Sequence, residues 1–254
     1  MQIILSPAKR MNFDLQEGDS IETTVPLFQA KSIEVLDACR TLSEADVAEK
    51  MKVHRNIARQ VYGYFQSFNS RTVPQRAAAL AYDGIAYKGL NAHDFNDDEV
   101  AFAQRHLNII SGLYGVLRPF DRIKPYRLEF SRKIQPDGYK DLYDFWKEDV
   151  NRYLSKKLAG EERVVINVAS KEYSGMLYRK LLPENTRIVE VVFLQQENGE
   201  LRQVVVHSKK ARGLMARFII KNRLKLVEEV KAFDYENYFF YPQLSTEDKW
   251  VFIR

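Results

Sequence analysis

The dipeptide Asn198-Gly199 constrains the fold of this chain more than any other pair of residues. Asn and Gly both accept the positive φ of a two-residue hairpin turn, and such a turn joins neighbouring antiparallel strands. The flanks, Ile188 to Gln195 and Leu201 to His207, have the composition of strands. A β-hairpin is therefore expected here, and with it a sheet. Three other runs can join that sheet. Gln2-Ile3-Ile4-Leu5 and Val164 to Val168 are short and apolar, as buried strands are, and Trp250 to Ile253 reads as a closing strand. Ala77 to Tyr82 is also compatible with a buried strand, ended by Asp83-Gly84.

Helical spacing fills much of the remainder. Lys31 to Leu42 places Ile33, Leu36 and Cys39 on one face, and Ser43 can cap the next helix, which carries Ala45, Val47 and Met51. A third helix is expected over Asn56 to Phe68. Asn96 followed by Glu99 has the pattern of a capping box, opening a helix through Phe102, His106 and Ile110 that Gly112 stops. Asp141 to Leu158 is amphipathic, with Leu142, Phe145, Trp146, Val150, Tyr153 and Leu154 recurring at helical spacing. Ser208 can cap a last helix running to about Leu224. Strands and helices mix without strict βαβ alternation, which predicts an α+β fold around a mixed sheet. No repeat, linker or low-complexity stretch divides the chain, so one domain over residues 1–254 is expected.

Composition narrows the class. Hydrophobic residues make up 45% of the 254 residues, enough for a core without disulfides or metal. The single cysteine, Cys39, rules out an intrachain disulfide and suits a reducing cytoplasm. Residues Met1 to Leu5 lack a charged leader, and no later stretch reaches the roughly 18 apolar residues of a membrane span. A soluble, cytoplasmic, monomeric protein is expected. Four histidines without pairwise metal spacing and a lone cysteine predict no metal site. The absence of a Gly-rich dinucleotide fingerprint or P-loop predicts no cofactor.

Charge is distributed unevenly. The chain carries +5 overall, but Arg118 to Lys133 nets +4 and Ser208 to Lys225 nets +7 with no acid, so the rest nets −6. Two basic windows on an acidic body suit a polyanion such as DNA, although two solvated faces would give the same pattern. With Ser208 as cap, Lys209 and Lys210 would occupy a first helical turn, where an anion relieves the conflict with the helix dipole. Lys210, Arg217 and Lys221 would form one stripe, and Arg212 belongs to the same window.

Three motifs extend this reading. In Ile109-Ile110-Ser111-Gly112-Leu113-Tyr114-Gly115-Val116-Leu117-Arg118-Pro119, two glycines precede a base. This approximates the hairpin of a helix-hairpin-helix element, in which Gly112 and Gly115 let backbone N–H groups reach phosphate beside Arg118. A helix C-cap followed by a turn explains the same glycines. Lys124-Pro125-Tyr126-Arg127 interleaves cations with an aromatic, a mixture that can hold a base and its phosphate. Finally, two strands run into polar residues: Leu5 into Ser6-Pro7-Ala8-Lys9-Arg10, and Val168 into Ala169-Ser170-Lys171-Glu172-Tyr173. Ligands of open α/β sheets bind at such strand ends, so Ser6, Lys9, Asn167, Ser170, Glu172 and Tyr173 can converge on one cleft. There Glu172, Tyr173 and Lys9 are candidate acid/base groups, although Ser170 capping a short helix explains the same residues. No nucleophile–base pair can be named, which favours binding over catalysis; an enzyme acting on a nucleotide or nucleic-acid base in the same cleft is the alternative.

Together these motifs resemble the YaaA family of peroxide stress resistance proteins along the whole chain. The resemblance rests on Ile4-Leu5-Ser6-Pro7-Ala8-Lys9, Gly112-Leu113-Tyr114-Gly115-Val116-Leu117-Arg118-Pro119 and Pro125-Tyr126-Arg127-Leu128-Glu129. It extends to Lys140-Asp141-Leu142-Tyr143-Asp144-Phe145-Trp146, Val165-Ile166-Asn167, Ala169-Ser170-Lys171-Glu172-Tyr173 and Lys209-Lys210-Ala211-Arg212-Gly213-Leu214-Met215. Arg10 stands where threonine is expected, and Phe130 where methionine is. The resemblance implies a compact α/β fold with a positively charged cleft, a helix-hairpin-helix-like element, DNA binding, and protection against hydrogen peroxide linked to lowered intracellular free iron. The chain shows no recognisable major-groove reading helix, so low sequence specificity is expected.

Overall fold

Strand β1 (Gln2–Leu5) lies inside the main sheet, paired on both sides and wholly buried. The computed structural model describes residues 1–14, 21–160 and 162–254. Two further strands come early, β2 (Arg76–Ala77) and β3 (Leu107–Ser111), then β4 (Gly115–Leu117), β5 (Arg122–Ile123) and β6 (Val164–Asn167). The rest are β7 (Arg187–Glu197), β8 (Glu200–Arg202), β9 (Phe239–Phe240) and β10 (Lys249–Ile253). The main sheet runs β4-β3-β1-β6-β7-β10-β9, with β8 hung on β7, while β2 and β5 form a separate antiparallel pair. Its centre, β3-β1-β6-β7-β10, is parallel, and β4, β8 and β9 add antiparallel pairs. Ile3 sits in register with both Leu107 and Ile166, so β1 and β6 end side by side.

The helices are α1 (Gln29–Arg40), α2 (Glu44–Met51), α3 (Arg55–Ser67), α4 (Ala78–Ala81), α5 (Ile85–Leu90), α6 (Asp97–His106), α7 (Leu142–Lys157), α8 (Lys171–Ser174) and α9 (Val205–Lys221). The fold is α+β with a mixed sheet. Caps legible in the sequence are present. Ser43 accepts the Asp46 N–H and Asp46 accepts the Ser43 N–H, while Asn96 and Glu99 bond reciprocally at 3.0 and 2.9 Å. Cys39 is completely buried among apolar side chains, and burial pushes its thiol well above the usual range. Among the described residues no helix is long and apolar enough to cross a membrane.

Four local expectations are corrected. The helix opened by Asn96 ends at His106, and Leu107–Ser111 is strand β3, which pairs with β1. The β-branched Ile109 and Ile110 satisfy a strand, and an apolar run of this length is ambiguous by periodicity alone. Consequently Gly112 and Gly115 join two strands: β3 and β4 form a β-hairpin, with Ser111 opposite Gly115, and the preceding segment is not the helix of a helix-hairpin-helix element. Ala77 to Tyr82 contributes only Ala77 to a strand. Ala78–Ala81 turns helical, as alanine's propensity favours. The Asn198-Gly199 hairpin exists, with Glu197 opposite Glu200, but its second strand ends at Arg202. Helix α9 then begins at Val205, so Ser208 is a buried helical residue rather than a cap, and Lys209 and Lys210 lie beyond the first turn.

Candidate functional site

A cavity of about 670 Å³ opens where the chain leaves β1 and β6. Ser6 to Arg10 forms one wall, and Ser170, Glu172 and Tyr173 form the next. The two are tied by the Ser170 N–H, which donates to Ser6 Oγ at 2.9 Å. The third wall is α5 with the Asp83-Gly84 turn before it, and the fourth is Lys209 and Arg212 on α9. Asn167 turns away: its side chain accepts the Ala169 N–H at 3.0 Å and shapes the loop after β6.

Two glycines fix the distance between the third and fourth walls. A Cβ on Gly213 would lie 1.7 Å from the Ala86 carbonyl oxygen, and one on Gly89 would lie 2.5 Å from that of Lys210. Helices α5 and α9 therefore touch backbone to backbone, which brings Lys88 into the same cavity as Lys209 and Arg212. The Tyr87 hydroxyl donates to the Ser6 carbonyl at 3.0 Å and binds α5 to the loop after β1. Ala8 would also meet any Cβ on Gly84, at 2.7 Å.

Five cations line the cavity (Lys9, Arg10, Lys88, Lys209 and Arg212) against two acids, Asp83 and Glu172. Arg10 pairs with Asp83 at 2.7 Å, and Lys9 with Glu129 at 3.0 Å. Arg212 differs from these. Among the described residues it makes no hydrogen bond or ion pair, and its Nε is buried without a partner. Burial lowers its pKa and is the larger influence, opposed only by the attraction of Glu190. A guanidinium stays charged through such a shift, so Arg212 is a partly desolvated cation with its hydrogen-bonding capacity unused.

Glu172 is held in place: its Oε1 accepts the Ser131 N–H at 2.9 Å, and its carbonyl accepts the Tyr143 hydroxyl at 2.7 Å. Burial, followed by the negative charge of Glu172, raises Tyr173 well beyond the usual phenol range. Its hydroxyl therefore stays protonated near neutrality and can donate a hydrogen bond, and it has no hydrogen-bond partner among the described residues. Behind Lys9 lies a knot that sequence reasoning did not single out. Buried Glu129 draws Lys9, Arg132 and, at 3.6 Å, Arg127 to one carboxylate oxygen, while its other oxygen is buried and unbonded. Burial alone would raise this carboxyl, but hydrogen bonds from Arg132 and Lys9 outweigh it and the net shift is downward.

The other expected contacts lie elsewhere. Gly112 and Gly115 are buried. Gly112 packs under the Leu128 carbonyl, and Gly115, at φ +69°, lies against the Trp146 ring. Arg118 is bound to fully buried Asp121 at 2.7 Å and donates to the Val25 carbonyl at 2.9 Å. The Lys124 ammonium donates to the Phe68 and Ser70 carbonyls. Lys210 pairs with Glu236. Arg217 holds Asp94 through two bonds of 2.7 Å, Lys221 bonds Glu99 at 2.8 Å, and Arg223 meets Asp98 at 3.1 Å. Three of the seven cations in the acid-free segment are thus matched by acids at and before the start of α6, where negative charge also suits the helix dipole. Lys88 was the cavity cation missed from sequence, because nothing local marks it.

The sequence profile of the peroxide stress protein YaaA family matches residues 1–244. The UPF0246 protein of Acaryochloris marina (strain MBIC 11017) is 38% identical, with both chains covered over their full length. With a match of that extent, the chain belongs to the YaaA family of peroxide stress proteins.

Proposed function

We propose that the protein binds DNA through the cavity between β1, β6, α5 and α9 and acts in the response to peroxide. The observation that carries this reading is the placement of its unpaired cations. Among the described residues Lys88, Lys209 and Arg212 have no acidic partner within ion-pair distance, and all three line one cavity. The cations of α9 that point elsewhere, Lys210, Arg217 and Lys221, are each matched to an acid. An arginine left unpaired beside two lysines is a site for a phosphate, which guanidinium binds through two parallel hydrogen bonds. Among the described residues no element presents itself as a groove-reading helix, so weak sequence preference is expected.

Fluorescence anisotropy with two unrelated duplexes tests this. Lys209→Ala and Arg212→Ala should weaken binding to both duplexes alike, while Arg217→Ala, if folded, should bind as the parent does. Unaltered binding by Lys209→Ala and Arg212→Ala would remove the cavity from the interface.

A second reading, catalysis on a nucleotide or base, is favoured by the Glu172 carboxylate and the unbonded Tyr173 hydroxyl lining the same cavity. Glu172→Gln separates the two. Pure binding tolerates the loss of a negative charge, whereas acid/base chemistry would lose turnover with affinity intact.

A further inference from the structure

Contact with a duplex exterior accounts for only part of this cavity. Phosphates and groove edges are met by cations and hydrogen-bonding groups on a shallow surface. Here the cations rim a recess with apolar walls, supplied by Leu5, Pro7, Ala8, Ile85, Tyr87 and Val168. Its volume of about 670 Å³ falls within the range of small-molecule sites. A ligand that satisfies both parts has an anionic end for Arg212 and an apolar, compact body for the recess. It also carries polar edges for the Tyr173 hydroxyl and Glu172.

We propose that the recess is a site for a single nucleotide, its phosphate on Arg212 and Lys209 and its base lodged between the loop after β1 and helix α5. Three features of the molecule converge on this. Arg212 is partly desolvated and, among the described residues, unpartnered, so an incoming phosphate gains charge-assisted hydrogen bonds without displacing an internal one. The walls are preorganised: the Tyr87–Ser6 and Ser170–Ser6 bonds and the Gly213–Ala86 contact hold the recess open. Tyr173, kept protonated by burial and by Glu172, offers a donor to an acceptor atom on a base edge. The nucleotide can come from a strand, turned out of the stack as in enzymes that act on bases, or from solution. The strand source rests on the DNA-binding reading above; the site itself does not.

Calorimetry with deoxyadenosine 5′-monophosphate, deoxyadenosine and inorganic phosphate tests the site without DNA. The monophosphate should bind, and deoxyadenosine and phosphate should each bind about ten- to hundredfold more weakly. Arg212→Ala should abolish the advantage of the monophosphate over deoxyadenosine. Ile85→Trp, in the apolar wall, keeps every cation but narrows the recess, and should lose the monophosphate. The source is read with a duplex carrying 2-aminopurine in a mismatch. Brightening on binding to the parent protein and not to Ile85→Trp assigns an extruded nucleotide. A quenched probe with the monophosphate still bound assigns the free one. Duplex binding with neither monophosphate binding nor brightening overturns this proposal and leaves the DNA-binding reading intact. Monophosphate binding without duplex affinity does the reverse.

Discussion

Glu129 is a buried carboxylate on which three cations converge. Its side chain is 3% exposed, and Lys9, Arg127 and Arg132 all address one of its oxygens. Glu129→Gln leaves three cations around a neutral amide, and removing one partner from a buried ionic cluster typically costs roughly 3–5 kcal/mol. Its pKa in the folded protein lies below the ordinary 4.5, so the carboxylate's stabilising contribution is present above that value and is lost as pH falls through the folded pKa. Urea denaturation of parent and variant across a series from about pH 7 to about pH 3 measures this. The gap between them should be full near neutrality and close on acidification. A gap that persists at the acidic end would mean that shape, not charge, is what Glu129 supplies.

At the scale of elements, the α5–α9 crossing sets the site. Gly213→Ala places a methyl where the Ala86 carbonyl stands, so the helices must separate. Overpacking of this kind costs about 1–3 kcal/mol or more, and here it should also widen the gap between Lys88 and Arg212 and weaken duplex binding. Gly63, inside α3, is the control: nothing lies within 4 Å of its added Cβ. Gly63→Ala should therefore raise stability by about 0.5–1 kcal/mol through helix propensity and leave binding alone. Urea midpoints and duplex anisotropy on both variants check the pair. Equal behaviour of the two alanines would show that the crossing is not tight. The elements themselves were largely legible: caps at Ser43 and Asn96 and the strands at Gln2 and Val164 follow from local chemistry. Where reading failed, at Leu107–Ser111 and Val205, an apolar run suited helix and strand equally and only pairing with β1, or docking of α9, decided it.

Over the whole molecule, net charge was legible but its use was not. The +7 of Ser208 to Lys225 is plain in the sequence, yet Asp94, Asp98 and Glu99 oppose it from 122 to 125 residues away. Only the fold separates cations consumed inside the protein from those left for a ligand. Strand-end logic did place Ser6, Lys9, Ser170, Glu172 and Tyr173 together, because neighbouring parallel strands end on the same edge. This partition makes a quantitative demand. Binding that neutralises three phosphates with Lys88, Lys209 and Arg212 should show a log–log salt slope of about −3 on duplex DNA, and each alanine substitution there should reduce its magnitude by about one. Arg118→Ala and Arg217→Ala remove cations that face Asp121 and Asp94, so they should lower stability but leave the slope of the folded variant unchanged. Anisotropy titrations of the five variants across a salt series decide the matter. A slope that falls for Arg217→Ala and not for Arg212→Ala would put the nucleic acid on the α6 side of α9. The ion pairs there would then be ones that DNA breaks.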